Sequence, residues 1–120
     1  MTIRRFALAA TAVAAFTALP AHAQTEIQWW HSMGGALGEW VNDLAKEFNA
    51  SQSAYKVTPT FKGSYDESMT AAIAAFRAGN APHILQVFEV GTATMMASKG
   101  AIKPVGEVMK QAGVPFDPKA

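Results

Sequence analysis

Glu89 is the residue whose position most invites chemistry. It follows His83-Ile84-Leu85-Gln86-Val87-Phe88, a short and mostly apolar run of the kind used by a strand covered on both faces of a sheet. Ligands of open α/β sheets gather at the carboxyl ends of strands, so a carboxylate there can accept hydrogen bonds from a bound molecule. The plainer reading is a solvated acid at a loop end. Trp30, His31 and Ser32 close another strand and belong to the same rim. Ser32 could donate to an anion or cap the helix that follows, capping being the commoner use of such a serine. A rim tryptophan suits the carbon face of a polyol. His31 and Glu89 together would be the starting material of a small α/β hydrolase. No serine nucleophile with an acid partner is spaced around His31, however, and one histidine near one rim glutamate makes a weak metal site, so a structural histidine is favoured. Gly34-Gly35 precedes a helix, but neither G-x-G-x-x-G nor G-x-x-x-x-G-K-[ST] is present, and the pair reads as a tight turn. No cofactor and no metal is expected, and His83 has no partner in view.

The elements that must position these residues alternate along the chain. Glu26 to His31 reads as a first strand, and Leu37, Trp40, Val41, Leu44, Ala45 and Phe48 then recur as the apolar stripe of a helix. Tyr55, Val57, Pro59 and Phe61 alternate with polar residues, which predicts a second strand, with Pro59 near an edge or the strand's end. Ser64 and Glu67 form a capping box for a second helix striped by Met69, Ala72, Ile73 and Phe76 and stopped at Gly79-Asn80. The third strand follows, then a helix from Val90 or Gly91 to Ser98 with Gly100 as its cap, and at most a brief helix from Gly106 to Ala112. Met33, Met95 and Met96 read as gap-filling core residues. The order is βαβαβα. Right-handed crossovers make this an α/β fold, a parallel sheet with helices on its faces.

Composition narrows the function classes. Met1–Ala23 has the design of a secretory signal: Arg4 and Arg5, an apolar run from Phe6 to Leu19, and Ala21-His22-Ala23 as a small-x-small cleavage site. The run is shorter than the roughly 20 residues of a spanning helix. Ala7 and Leu8 fit the twin-arginine motif poorly, so ordinary secretion is expected. The absence of cysteine excludes disulfides, thiolate metal sites and the lipid-bearing cysteine of a tethered lipoprotein. Residues 24–120 should therefore form a soluble exported domain without direct membrane insertion. Loss of Arg4 and Arg5 leaves eight basic against nine acidic residues, and no basic cluster remains for nucleic acid.

A family resemblance rests on longer runs: Trp30-His31-Ser32-Met33, Tyr55-Lys56-Val57, Phe61-Lys62-Gly63-Ser64-Tyr65, Ala72 to Pro82, and Ile84 to Ser98. Together they resemble the extracellular solute-binding proteins of ABC importers, of the maltose-binding type. The Gly-Asn-Ala-Pro corner is shared widely in that family, whereas Glu89-Val-Gly-Thr-Ala-Thr-Met-Met-Ala-Ser98 is narrower and points to its glycerol-phosphate branch. The resemblance implies a periplasmic receptor that binds sn-glycerol 3-phosphate, with glycerophosphodiesters as further candidates, and delivers it to an inner-membrane permease without chemistry. It also implies a three-layer α/β/α, periplasmic binding protein-like (type II) fold, of which residues 24–120 are three βα units, a partial amino-terminal lobe. Two of the family's ligand contacts map onto Tyr65 and Glu89. A phenol can donate to phosphate, and a carboxylate suits the hydroxyls of the glycerol end. Tyr65 could equally pack over the sheet edge. The rivals are the small hydrolase and a truncated module that binds nothing.

Overall fold

The computed structural model describes residues 23–115 and 117. The signal expected over Met1–Ala23 lies, apart from Ala23, outside them. Three strands, β1 (Thr25–His31), β2 (Tyr55–Phe61) and β3 (Ile84–Leu85), form one parallel sheet in the order β2-β1-β3. Helix α1 (Gly35–Ser51) joins β1 to β2, and α2 (Tyr65–Arg77) carries the chain from β2 past β1 to β3. A 3-10 turn (Glu89–Gly91), α3 (Thr92–Ala97) and α4 (Val105–Gln111) complete the order. The fold is α/β, as the alternating periods imply.

β2 is an edge strand, and its outer edge is blocked from Tyr55 to Pro59. Lys62 N–H donates to the His31 carbonyl at 2.9 Å, so the even-numbered residues of β2 face β1 and the odd-numbered amides point outward. Asn49 of α1 answers Val57 with a two-way pair, its amide donating to the Val57 carbonyl at 2.8 Å and its Oδ1 accepting from the Val57 N–H at 2.7 Å. Gln52 does the same for Tyr55, at 2.7 and 2.8 Å. Pro59 is the next outward residue and has no N–H to expose. These devices leave no row of free donors for a stray strand. The edge position expected for Pro59 follows from its parity.

α2 is delimited as its sequence dictates. The Ser64 hydroxyl accepts from the Glu67 N–H, and the Glu67 carboxylate accepts from the Ser64 N–H at 2.7 Å. Asp66 and Glu67 lie in the first turn and Arg77 in the last, which complements the helix dipole. At the other end Asn80 N–H donates to the Ala75 carbonyl and Gly79 N–H to that of Phe76, with Gly79 at φ +76° where a side chain would be strained.

Three expectations need correction. The third strand was expected from His83 to Phe88 with both faces covered, but only Ile84 and Leu85 form the ladder, and Ile84 is exposed. The cause lies in β1, which ends at His31: Gln86 N–H still reaches the Trp30 carbonyl, but the next donor of β1, Ser32 N–H, is taken by the Gln86 side chain at 2.9 Å, so the chain leaves the sheet beyond Gln86. The apolar stripe of α1 is also only half used. Val41 and Ala45 are buried, whereas Leu37 and Trp40 are 59% and 60% exposed and Leu44 and Phe48 also face out. α1 rests on β2 near the sheet's edge, which is too narrow to cover the whole stripe. Met95 fills the core but its neighbour Met96 is exposed, since successive helical residues point about 100° apart. The small core also includes Ala72 and Ser68 of α2 and His31 of β1.

Asn49→Ala should remove both part-buried bonds to Val57 and cost about 1–3 kcal/mol, the range for leaving such groups unpaired. Gln52→Ala, whose partners are exposed, should cost less. Urea midpoints of the two variants measure the difference.

Candidate ligand-binding site

Because the strands are parallel, their carboxyl ends lie on one rim, and because β1 is central, the segments after β1, β2 and β3 meet there. Each side chain singled out from the sequence can be placed on it. Trp30, the penultimate residue of β1, is half-buried; its carbonyl accepts from Gln86 N–H at 2.9 Å and its ring lies under the Lys62 ammonium, 3.8 Å from Nζ to the centroid. Ser32 donates its N–H to Gln86 Oε1 at 2.9 Å, while its Oγ is buried and has no hydrogen-bond partner. It is not a cap. The N-cap of α1 is Gly34, which makes no side-chain bond, so the commoner use of a serine at this corner does not apply.

Tyr65 opens α2 and is half-buried, with its ring 5.2 Å from that of Phe88 at an angle of 31°. Glu89 directly follows Phe88 as the first residue of the 3-10 turn, and it is exposed. Its expected place at the strand's end becomes a place on the turn beyond it, since the ladder stops at Leu85. The aromatic contact thus brings the first turn of α2 to the backbone that carries Glu89. Gly91 makes this possible: a Cβ there would meet a Phe88 ring carbon at 2.8 Å and the Met69 sulfur at 3.1 Å, so only glycine lets the turn close beneath Phe88. Tyr65 and Glu89 are neighbours through Phe88. Trp30 and Ser32 are neighbours through Gln86.

His31 stands apart. It is 3% exposed, flanked by the rings of Trp29 and Phe61 at 6.1 Å each, and its Nδ1 accepts from the Met33 N–H at 3.3 Å. Burial holds its pKa below the ordinary value of 6.5, so it is a neutral core imidazole. An imidazole so enclosed has no approach to a substrate on the rim, and the hydrolase built on His31 and Glu89 loses its base. His83 likewise has a structural partner, its Nδ1 accepting from the Gln28 N–H at 3.0 Å. Among the described residues no group of three or more His, Asp or Glu side chains could hold a metal ion.

Three contributors were missed from sequence. Gln86 clamps β1 to β3, and its signal was a lone amide inside an apolar run. Phe88 carries Tyr65, and nothing in a strand-like pattern distinguishes it from a core residue. Lys62 lies on Trp30, where an isolated lysine after a strand looks like solvated surface. A groove of about 720 Å³ runs along the free flank of β3 between α2 and α4, lined by Ile73, Phe76, Ile84, Leu85, Ile102 and Val108 among others. It includes none of Trp30, Ser32, Tyr65 and Glu89.

The carboxyl-end rim of a parallel sheet is where ligands of open α/β sheets gather, and the sequence comparisons say to which family this chain belongs. Residues 34–120 match the family model of the bacterial extracellular solute-binding proteins, and the chain belongs to that family. Within it the chain is similar to proteins named sn-glycerol-3-phosphate-binding periplasmic protein UgpB. It is 60% identical to the one from Escherichia coli O1:K1 over 90% of this chain and 25% of the relative. The relative from Agrobacterium fabrum is 52% identical over 98% of this chain and 28% of its own length, and that of Escherichia coli K12 is 59% identical over 90% and 25%. The chain spans about a quarter of the length of these curated relatives. No helix among the described residues is long and apolar enough to cross a membrane.

The burial of neutral His31 sets a pH dependence. The unfolded chain takes up a proton as pH falls through 6.5 and the folded chain resists it, so stability is full above pH 6.5 and declines below. The urea midpoint should be lower at pH 5.5 than at pH 7.5. His31→Gln, which keeps an acceptor for Met33, should flatten that decline; equal midpoints in the wild type would contradict it.

Proposed function

We propose that this chain forms one wall of the substrate-binding component of an ABC importer, capturing sn-glycerol 3-phosphate in the periplasm for delivery to inner-membrane permease subunits. Residues 1–23 act as the export signal, and residues 24–120 are a partial amino-terminal lobe of a type II, three-layer α/β/α fold. With the strand order β2-β1-β3, the right-handed rule for crossovers between parallel strands would put α1 and α2 on opposite faces, which supports the layered reading. The strand order reverses at β1, and the gap between β1 and β3 is where ligands of such sheets bind. Binding occurs without chemistry.

The observation that carries the reading is the aromatic bridge. Tyr65 lies on Phe88, and Glu89 follows it, in a chain 52–60% identical to relatives named for binding sn-glycerol 3-phosphate. An exposed carboxylate accepts two hydroxyl hydrogen bonds, which matches the glycerol end, and placing it against phosphate would cost like-charge repulsion. The phenol donates to a phosphate oxygen without adding a full charge. Trp30 and Ser32 extend the wall along β1. The apolar surface left open on α1 and beside β3 is the kind that the remaining three-quarters of a full-length receptor would cover, and the second lobe would supply the other ligand contacts. A lone wall cannot enclose a ligand, so the affinity of this chain alone should be far below that of an intact receptor.

In a full-length receptor bearing this segment, Glu89→Ala should weaken sn-glycerol 3-phosphate binding by about 1.5–3 kcal/mol, the range for a hydrogen bond to a charged group. That is a loss of at least tenfold in affinity by calorimetry. Unchanged affinity would reject the role of Glu89.

A further inference from the structure

The short ladder of β3 is closed at both ends by side chains. Gln28, Trp30 and Ser32 of β1 turn their main-chain groups toward β3. At the rim end, Ser32 N–H donates to the Gln86 side chain. At the other end Gln28 meets His83 twice: its carbonyl accepts from the His83 N–H at 3.1 Å, and its N–H donates to His83 Nδ1 at 3.0 Å. One residue thus supplies both partners of Gln28, with an imidazole nitrogen where a parallel ladder ordinarily puts a carbonyl. Between the two side chains only Ile84 and Leu85 are laddered to β1.

The two closures respond differently to a proton. A backbone amide can only donate, so His83 Nδ1 must carry its lone pair and the ring proton must lie on Nε2. An imidazolium bears protons on both nitrogens and offers the Gln28 N–H no acceptor, whereas the carboxamide of Gln86 does not titrate. The surroundings give an imidazolium no compensating partner. Arg77 of α2, and Lys99 and Lys103 from the segment between α3 and α4, line the groove that His83 also lines; α4 contributes Val105 and Val108, and no carboxylate is among the described lining residues. On β1 the ionisable residue closest in sequence to Gln28 is Glu26, which lies opposite Lys56 in the register with β2. His83 is exposed, so a proton has access to it.

We propose that His83 is a proton-sensitive latch on the amino end of β3. With the ring neutral, the latch is closed. As pH falls and the ring takes up a proton, the Gln28 N–H loses its acceptor, the imidazolium turns away from a groove already lined by cations, and β3 comes off β1 at that end. The Gln86 clamp is indifferent to pH and keeps the rim end paired, so the strand opens from the end remote from Phe88 and Glu89. Because Pro82, His83, Ile84 and Leu85 all line the groove beside β3, that opening widens the groove. The latch depends on the pairing of β1 with β3 and holds whatever the rim binds.

The test is nuclear magnetic resonance of the nitrogen-labelled chain from about pH 8 to about pH 5, a range across which histidine side chains change charge. At the upper end the His83 ring should be protonated at Nε2 and bare at Nδ1. The Gln28 amide should shift along the same curve as the His83 ring nitrogens, and its protection from hydrogen exchange should fall about tenfold or more across the range. The Ser32 amide, held by Gln86, should not follow that curve. His83→Asn, whose carboxamide oxygen can stand in for Nδ1 and does not titrate, should keep Gln28 protected at both ends of the range, and His83→Ala should leave it unprotected at both. His31→Gln should leave the Gln28 curve unchanged, which separates the latch from the buried histidine. A Gln28 amide that stays constant while the His83 ring titrates, or a Gln28 inflection that persists in His83→Asn, would overturn the proposal. If either His83 variant does not fold, the wild-type ring decides alone: Nε2 protonated with a coupled Gln28 curve supports the latch, and a proton on Nδ1 at the upper end contradicts it.

Discussion

The parallel pairing of β1 with a strand on either side is the constraint on which the remaining structure depends. Parallel strands run the same way, so everything that follows β1, β2 and β3 must begin on one rim. Had β2 and β3 lain side by side, Tyr65 and Phe88 would start from adjacent strands and Trp30 would lie outside them. With β1 between them, α2 has to cross the central strand, and its first turn comes to the chain leaving β3. The contact of Tyr65 with Phe88 follows from this order, and with it the nearness of Tyr65 to the turn that Glu89 opens.

The two edges of the sheet are treated differently. β2 has its outward groups answered by Asn49 and Gln52 and interrupted by Pro59, all within a short distance of α1. β3 has only two laddered residues and lies beside an apolar groove with no comparable protection. Leu37 and Trp40 of α1 leave apolar surface exposed on the β2 side as well, although the strand edge there is answered. A protected edge belongs to a finished boundary of a domain, and an open one with apolar flanks belongs to a face that packs against more protein. This agrees with a chain that spans about a quarter of its curated relatives.

Much of the framework was legible because local chemistry wrote it. Ser64 and Glu67 mark the start of α2, Gly79 its end, and the alternation through Tyr55 to Phe61 the second strand, since each depends on residues close in sequence. The third strand misled because an apolar run says what prefers burial but not how far its partner extends, and β1 ends where the Gln86 side chain, in place of a backbone carbonyl, takes the Ser32 N–H. The stripe of α1 misled for a similar reason, a helix face being wider than the sheet it rests on. At the site, Glu89 was marked by strand-end position and by family resemblance together, Tyr65 by the resemblance, and Trp30 and Ser32 by strand-end position. Gln86, Phe88 and Lys62 act through contacts far apart in sequence or across a strand pair, which no single-sequence pattern encodes.

The central claim is that Tyr65 and Glu89, joined through Phe88, face the ligand together on this rim. It is tested most directly by the crystal structure of a full-length receptor carrying this segment with sn-glycerol 3-phosphate bound. The account expects the glycerol hydroxyls within hydrogen-bond distance of the Glu89 carboxylate and a ligand oxygen at the Tyr65 hydroxyl. A ligand seated in the apolar groove along β3, or one that leaves both side chains in water, would contradict it.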